Sequence, residues 1–172
     1  MAILKIARMG HPQLMRVADP IEDPTVPDIQ RLAADMIDTM RDAPGIGLAA
    51  PQVHIPKRMV IYYVPEGRDE EEKGHPLTTL INPVITVLDP ELEAGAEGCL
   101  SLPGMVGMVE RPQHISVKAL DLQGNTLEYE AKGYHARVIQ HECDHLDGII
   151  YPMRMTDLST LGYVEEMTSH ND

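Results

Sequence analysis

The chain contains no tryptophan and no phenylalanine, and it has two cysteines, Cys99 and Cys143. Without the largest aromatics, the core must rest on Leu, Ile, Val, Ala and eleven Met. Methionine fills irregular gaps well, so a Met-rich core calls for no functional explanation. Positive charge is scarce too: 14 Lys and Arg stand against 27 Asp and Glu, a formal net charge of −13. That balance repels a phosphate backbone, and no basic stripe offsets it. Direct nucleic-acid binding and docking on an anionic membrane are therefore not expected. No apolar run approaches the roughly 20 residues that cross a bilayer. Met1 to Ile6 reads as a first strand and is too short for the apolar core of a targeting signal. A reducing bacterial cytoplasm is the expected setting, with an organellar origin as the alternative. In that setting each cysteine is core filler, ligand or nucleophile, not half of a disulfide.

At 172 residues, with 43% hydrophobic and 24% charged content, the chain reads as one soluble domain over 1–172 that buries its own core. Proline-rich punctuation from Asp19 to Pro27 marks a surface loop. From Asp28 to Arg41 the apolar positions Ile29, Leu32, Ala33, Met36, Ile37 and Met40 recur at the helical period. Arg58 to Val64 reads as a strand, Glu66 to Gly74 as a charged loop, and Leu77 to Leu88 as extended chain broken at Asn82-Pro83. His114 to Leu122 and Thr126 to Glu130 form a hairpin about Gln123-Gly124-Asn125. Tyr134 to Leu146 is a second helix, with Gly148 placed to cap it, and the tail is helical around Tyr163 to Met167. Runs of strands with few helices predict an α+β fold, mostly antiparallel sheet packed around one central helix.

Chemistry concentrates in His141-Glu142-Cys143-Asp144-His145. Histidines four apart lie one turn above the other on a helix, so both imidazoles reach one metal ion. Glu142 stands beside them, where a carboxylate takes a proton from an attacking water. The ordinary alternative is a pair of surface histidines that share the pattern by chance. A catalytic metal needs a third protein ligand and an open position. Cys143 is two residues from His141, on the opposite helix face. Tyr151 occupies the place of a third histidine in metzincin proteases, and Glu165 or Glu166 that of a glutamate in thermolysin-like proteases. Cys99 sits among small residues in Glu97-Gly98-Cys99-Leu100-Ser101-Leu102-Pro103-Gly104. A buried cysteine in a turn is its plain alternative.

Three segments, taken together and in order, resemble the peptide deformylases: Gly45-Ile46-Gly47-Leu48-Ala49-Ala50-Pro51-Gln52, Glu97-Gly98-Cys99-Leu100-Ser101, and Gln140-His141-Glu142-Cys143-Asp144-His145. The resemblance implies that Cys99 joins His141 and His145 as the third metal ligand, leaving the zincin-like endopeptidase with Glu165 or Glu166 as runner-up. It further implies that the Gln52 side chain and the Leu100 backbone N–H donate to the developing oxyanion. Ile46 and Gly47 would pair with the substrate as an added strand, and Gly98 would line its path. The implied substrate is an N-formylmethionyl peptide, a nascent chain at the ribosome, and the products are formate and a free amine. Fe(II) is the implied ion, with Zn(II) or Ni(II) able to occupy the site; the ligand set alone would favour zinc.

Two departures from the family pattern stand out. Arg137 lies one turn before His141, where the wall of the methionine pocket is expected. The tail from Asp157 holds Glu165, Glu166 and Asp172 and no Lys or Arg. Ribosome docking through a basic C-terminal extension, as in some bacterial deformylases, is therefore not expected.

Overall fold

Pro27 and Asp28 open the first helix, α1 (Pro27–Asp42), where a missing N–H costs nothing and a carboxylate meets the positive helix end. In this computed structural model, which describes residues 2–68 and 73–168, α1 covers one side of an antiparallel sheet. The strands are β1 (Gly47–Ala49), β2 (Met59–Val64), β3 (His75–Cys99), β4 (Leu102–Leu120) and β5 (Thr126–Lys132), hydrogen-bonded in that order. The second helix, α2 (Gly133–Leu146), follows β5. Two short elements, β6 (Gly162–Tyr163) and α3 (Val164–Thr168), end the described chain, and β6 pairs with β4 at Met105 and Val106.

Strand alternation distributes the core. Val60, Tyr62 and Val64 of β2 pack with Ala136, Val138, Ile139, Cys143 and Leu146 of α2. Met59 and Ile61, on the other face, pack with Ala33, Met36 and Met40 of α1. β2 is thus apolar throughout because both of its faces are covered.

The expected helices and the β4–β5 hairpin are present, but the strands run further than the local pattern suggested. β3 passes through Asn82-Pro83 by way of a bulge between Ile81 and Val84. Asn82 takes a positive φ of 51° and ties its side chain to both the N–H and the carbonyl of Ile21. β4 begins at Leu102, well before His114, because the segment from Leu92 to Cys99 supplies its partner. The expected first strand is absent among the described residues. Instead, residues 2–7 are extended chain held by single contacts, such as Leu4 N–H on Thr39 Oγ1 at 2.9 Å and Ala7 N–H on the Gln52 carbonyl at 2.7 Å. Residues 69–72 of the charged loop lie outside the described residues. Gly148 follows α2 at φ +73°, where a Cβ would come within 2.7 Å of the Met15 carbonyl, so glycine is required there twice over.

Candidate metal centre

α2 is buried around most of its circumference, and much of what it buries is polar: Arg137, Gln140, His141, Glu142, Asp144 and His145. Buried polar groups are costly unless bonded, so their partners describe the site. Gln140 donates to the Pro112 carbonyl at 2.9 Å. Asp144 accepts from Arg111 Nη1 at 2.8 Å and from Arg154 Nη2 at 2.7 Å. The Nδ1 of His141 meets Glu97 Oε2 at 2.8 Å. Among the described residues, Glu142 Oε2 and His145 Nδ1 are the polar atoms of α2 left buried without a partner.

The turn between β3 and β4 brings Cys99 to the two histidines. Its Sγ lies 3.3 Å from His145 Nε2, and one donor atom from each of Cys99, His141 and His145 falls within 4.8 Å of the others. With Nδ1 of His141 engaged by Glu97, its Nε2 is the nitrogen free to bind. Burial by itself would raise the Cys99 thiol, but the two imidazoles outweigh it and hold the group well below its ordinary value. A thiolate and two imidazoles converging at this separation fit a divalent transition metal with a position left open.

Glu142 is the next group along. Burial pushes its carboxyl up to about 7, against the pull of His141 and His145. A carboxyl near neutrality can both accept a proton and return it. Its carboxylate occupies the space in front of Gly47, where any Cβ would overlap it. The close approach that requires glycine here comes from this carboxylate.

Gln52 is buried, with Oε1 accepting from the Ala49 N–H at 2.8 Å. That bond fixes the amide so that Nε2 points at Ser101 Oγ (3.1 Å) and at Cys99 Sγ (3.5 Å). Gly47 begins β1, the edge strand of the sheet, directly after Ile46. A cleft of about 580 Å³ opens over the centre, lined by Ile46, Gly47, Gln52, Gly98, Leu100 and Glu142 among others. A larger groove of about 720 Å³, beside the N-terminal segment, holds none of the three donors.

The structure therefore gathers Cys99, His141, Glu142, Gln52, Leu100, Ile46, Gly47 and Gly98 around one cleft, with His145 buried beneath in the donor cluster. Glu165 and Glu166 are exposed on α3, outside the donor cluster. Tyr151 is buried with its ring stacked toward His141, the centroids 6.1 Å apart. Cys143 faces the apolar core, as its place on the helix predicts.

Sequence reasoning overlooked the group that orients His141. Glu97 accepts from Arg111 at 2.7 and 2.9 Å and from Arg137 at 2.9 Å. Burial opposes its charge, yet the hydrogen bonds and charges of Arg111 and His141 bring its carboxyl down to about 2. Such a partner fixes the tautomer and direction of a metal-binding imidazole. The period of two along β3, which puts residues 97 and 99 on one face, was a usable signal for Glu97. No local pattern marks Arg111. Arg137, expected at a pocket wall, lines a small recess beside His141 and Glu142, with its guanidinium turned onto Glu97 and the backbone carbonyls of Glu93 and Val109.

A model of the polypeptide deformylase family matches residues 3–160. Peptide deformylase 1 of Bordetella pertussis is 46% identical over 168 residues, spanning 97% of this chain and 96% of its own. The peptide deformylase of Cellvibrio japonicus is 50% identical over 152 residues, 88% of this chain and 85% of that one. Among solved structures, peptide deformylase from Ehrlichia chaffeensis in complex with actinonin superposes with a TM-score of 0.85 at 35% identity, covering 93% of this chain and 92% of that one. The Met-Ala-Ser-bound class I type b enzyme from Acinetobacter baumannii does so with a TM-score of 0.83 at 37% identity, covering 90% and 99%.

Proposed function

The chain belongs to the polypeptide deformylase family, and we propose that Cys99, His141, His145 and Glu142 carry that family's reaction here, hydrolysis of the N-formyl group of nascent polypeptides, within one catalytic domain. The observation that supports this most directly is the meeting of a mid-chain thiolate with two helical imidazoles beside a buried carboxyl.

When bound, a divalent metal polarises the formyl oxygen and lowers the pKa of the attacking water. Cys99 Sγ and the two imidazole nitrogens hold it, and Glu97 keeps His141 aimed. Glu142 takes the proton from the water and delivers it to the departing amine nitrogen, so formate leaves as a free N-terminus forms. The Gln52 amide, already directed at the sulfur, and the Leu100 N–H donate to the oxyanion of the tetrahedral intermediate. The β1 edge from Ile46 to Gly47 pairs with the peptide backbone, and Gly98 lines its path. The physiological ion is Fe(II), with zinc or nickel as substitutes. The substrate is an N-formylmethionyl chain at the ribosome in a bacterial cytoplasm, reached without a basic C-terminal anchor.

Anaerobic purification, metal analysis and a formate-release assay on the same sample test this reading. About one iron per chain, with formate released from a formyl-Met peptide, is the expected result. Internal cleavage of unformylated peptides, without formate, would point to the endopeptidase alternative. A metal-loaded protein that releases nothing would be a binding scaffold.

A further inference from the structure

Along one wall, the cleft over the metal centre is bordered by the run from Ala43 to Gly47. Glu142 fills the space in front of Gly47. The Leu100 side chain fills that in front of Gly45, where a Cβ would lie 2.7 Å from its Cδ1. Leu48 and Ala49, which follow Gly47, are sealed at 0% exposure. A peptide with its formyl group at Glu142 therefore leaves in one direction, past Gly45 toward Ala43. The edge from Gly45 to Gly47 accommodates about three residues of extended peptide. The fourth arrives where Ile6, Ala43, Leu100 and Pro103 stand, and these residues also line the 720 Å³ groove beside the N-terminal segment. Cleft and groove thus share a border on the path of the outgoing chain.

Charge in that groove runs against the rest of the molecule. Lys5, Arg8, His11 and His54 line it, with Asp42 as the one carboxylate among its described lining residues, whereas the whole chain carries −13. Lys5 and Arg8 are exposed, and among the described residues neither has a carboxylate partner. Their backbone is nonetheless fixed. Leu4 N–H donates to Thr39 Oγ1 at 2.9 Å, and on either side of Arg8 the Ala7 and Met9 N–H groups donate to the carbonyls of Gln52 at 2.7 Å and Ser101 at 2.8 Å. Two unpaired cations on anchored main chain, next to the exit of a peptide cleft, complement an anionic segment of that peptide. Resting on the deformylase reading, we infer that this groove receives the fourth to sixth residues of the substrate and favours acidic side chains there, with Lys5 and Arg8 as the specificity-determining residues.

The test compares kcat/KM of the metal-loaded enzyme for two C-terminally amidated peptides, formyl-Met-Ala-Ser extended by three glutamates or by three glutamines. The glutamate peptide should be favoured about 5-fold at about 10 mM salt, which is within reach of two exposed ion pairs. The preference should fade toward equality at about 1 M salt, where screening acts over about 3 Å. The net charge of −13 acting alone predicts the opposite order, so the sign of the difference is diagnostic. Lys5→Gln combined with Arg8→Gln should bring the ratio to 1 or below, a readout that general loss of activity does not move. A glutamate peptide no better than the glutamine one in the unmodified enzyme, or a preference that survives the double substitution, would overturn the inference. If the double variant does not fold, the order in the unmodified enzyme decides alone. Formate released from the glutamine peptide upholds the deformylase reading whichever way the ratio falls. If neither peptide yields formate, that reading falls first and the groove assignment falls with it.

Discussion

On one side of α2, the sulfur of Cys99 stands 3.3 Å from an imidazole nitrogen of His145. On another, Cys143 is sealed among Tyr62, Ile139 and Leu146. Cys143 is buried and Cys99 half-buried at the cleft, and burial by itself pushes both pKa values up. At Cys99 two imidazoles outweigh that push, and the group falls well below its ordinary value. At Cys143 the charge of Glu142 adds to burial, and the thiol rises. Burial alone leaves a cysteine inert; a thiolate needs facing cations.

The comparison breaks most visibly at the two cysteines themselves. Cys99→Ala should abolish metal retention and formate release together, whereas Cys143→Ala should keep a full complement of metal; metal analysis of the two variants decides. Glu142→Ala should retain its metal and lose about 10²–10⁴-fold in formate release, since it removes proton transfer and no ligand. Equal turnover by this variant would rule Glu142 out as the base.

Glu97 sharpens the contrast one layer out. Glu97→Gln should weaken metal binding about 10–100-fold, measured by competition with a chelator, because His141 loses its anionic partner. The same carboxyl carries a pH signature. Its folded value of about 2 lies below the ordinary 4.5, so its contribution is complete above the ordinary value and is lost as pH falls from there toward 2. That loss amounts to about 3 kcal/mol, and denaturant unfolding across this window should reveal a slope that Glu97→Gln flattens. The smallest effect belongs to the apolar side. Cys143→Ser should cost about 1–3 kcal/mol of stability by burying a hydroxyl without a partner, while metal content stays unchanged.

Legibility followed the range of each interaction. His141, Glu142 and His145 could be read directly, because an i, i+4 spacing on a helix is itself a geometric statement. The hairpin about Gly124 and the two long helices were equally local. The full reach of β3 and β4 was not, since Leu92 to Cys99 gains its extended form from a partner strand that the local pattern does not announce. Glu97 stood in view within a recognised motif, but its task depends on Arg111 and Arg137, from a strand and a helix distant in sequence. The inward turn of Arg137 had no local signal at all, because three acceptors and the bare backbone of Gly95 direct it.

By itself the sequence determined the helical pair of imidazoles with its neighbouring carboxylate, the strand from Arg58 to Val64, and the acidic balance that disfavours polyanions, all of which follow from spacing and composition. Only the tertiary structure decided which cysteine becomes a thiolate, how His141 is aimed, and where the Arg137 guanidinium is held. Each of these depends on charges and main-chain groups brought together from separate segments, and folding alone creates their mutual distances.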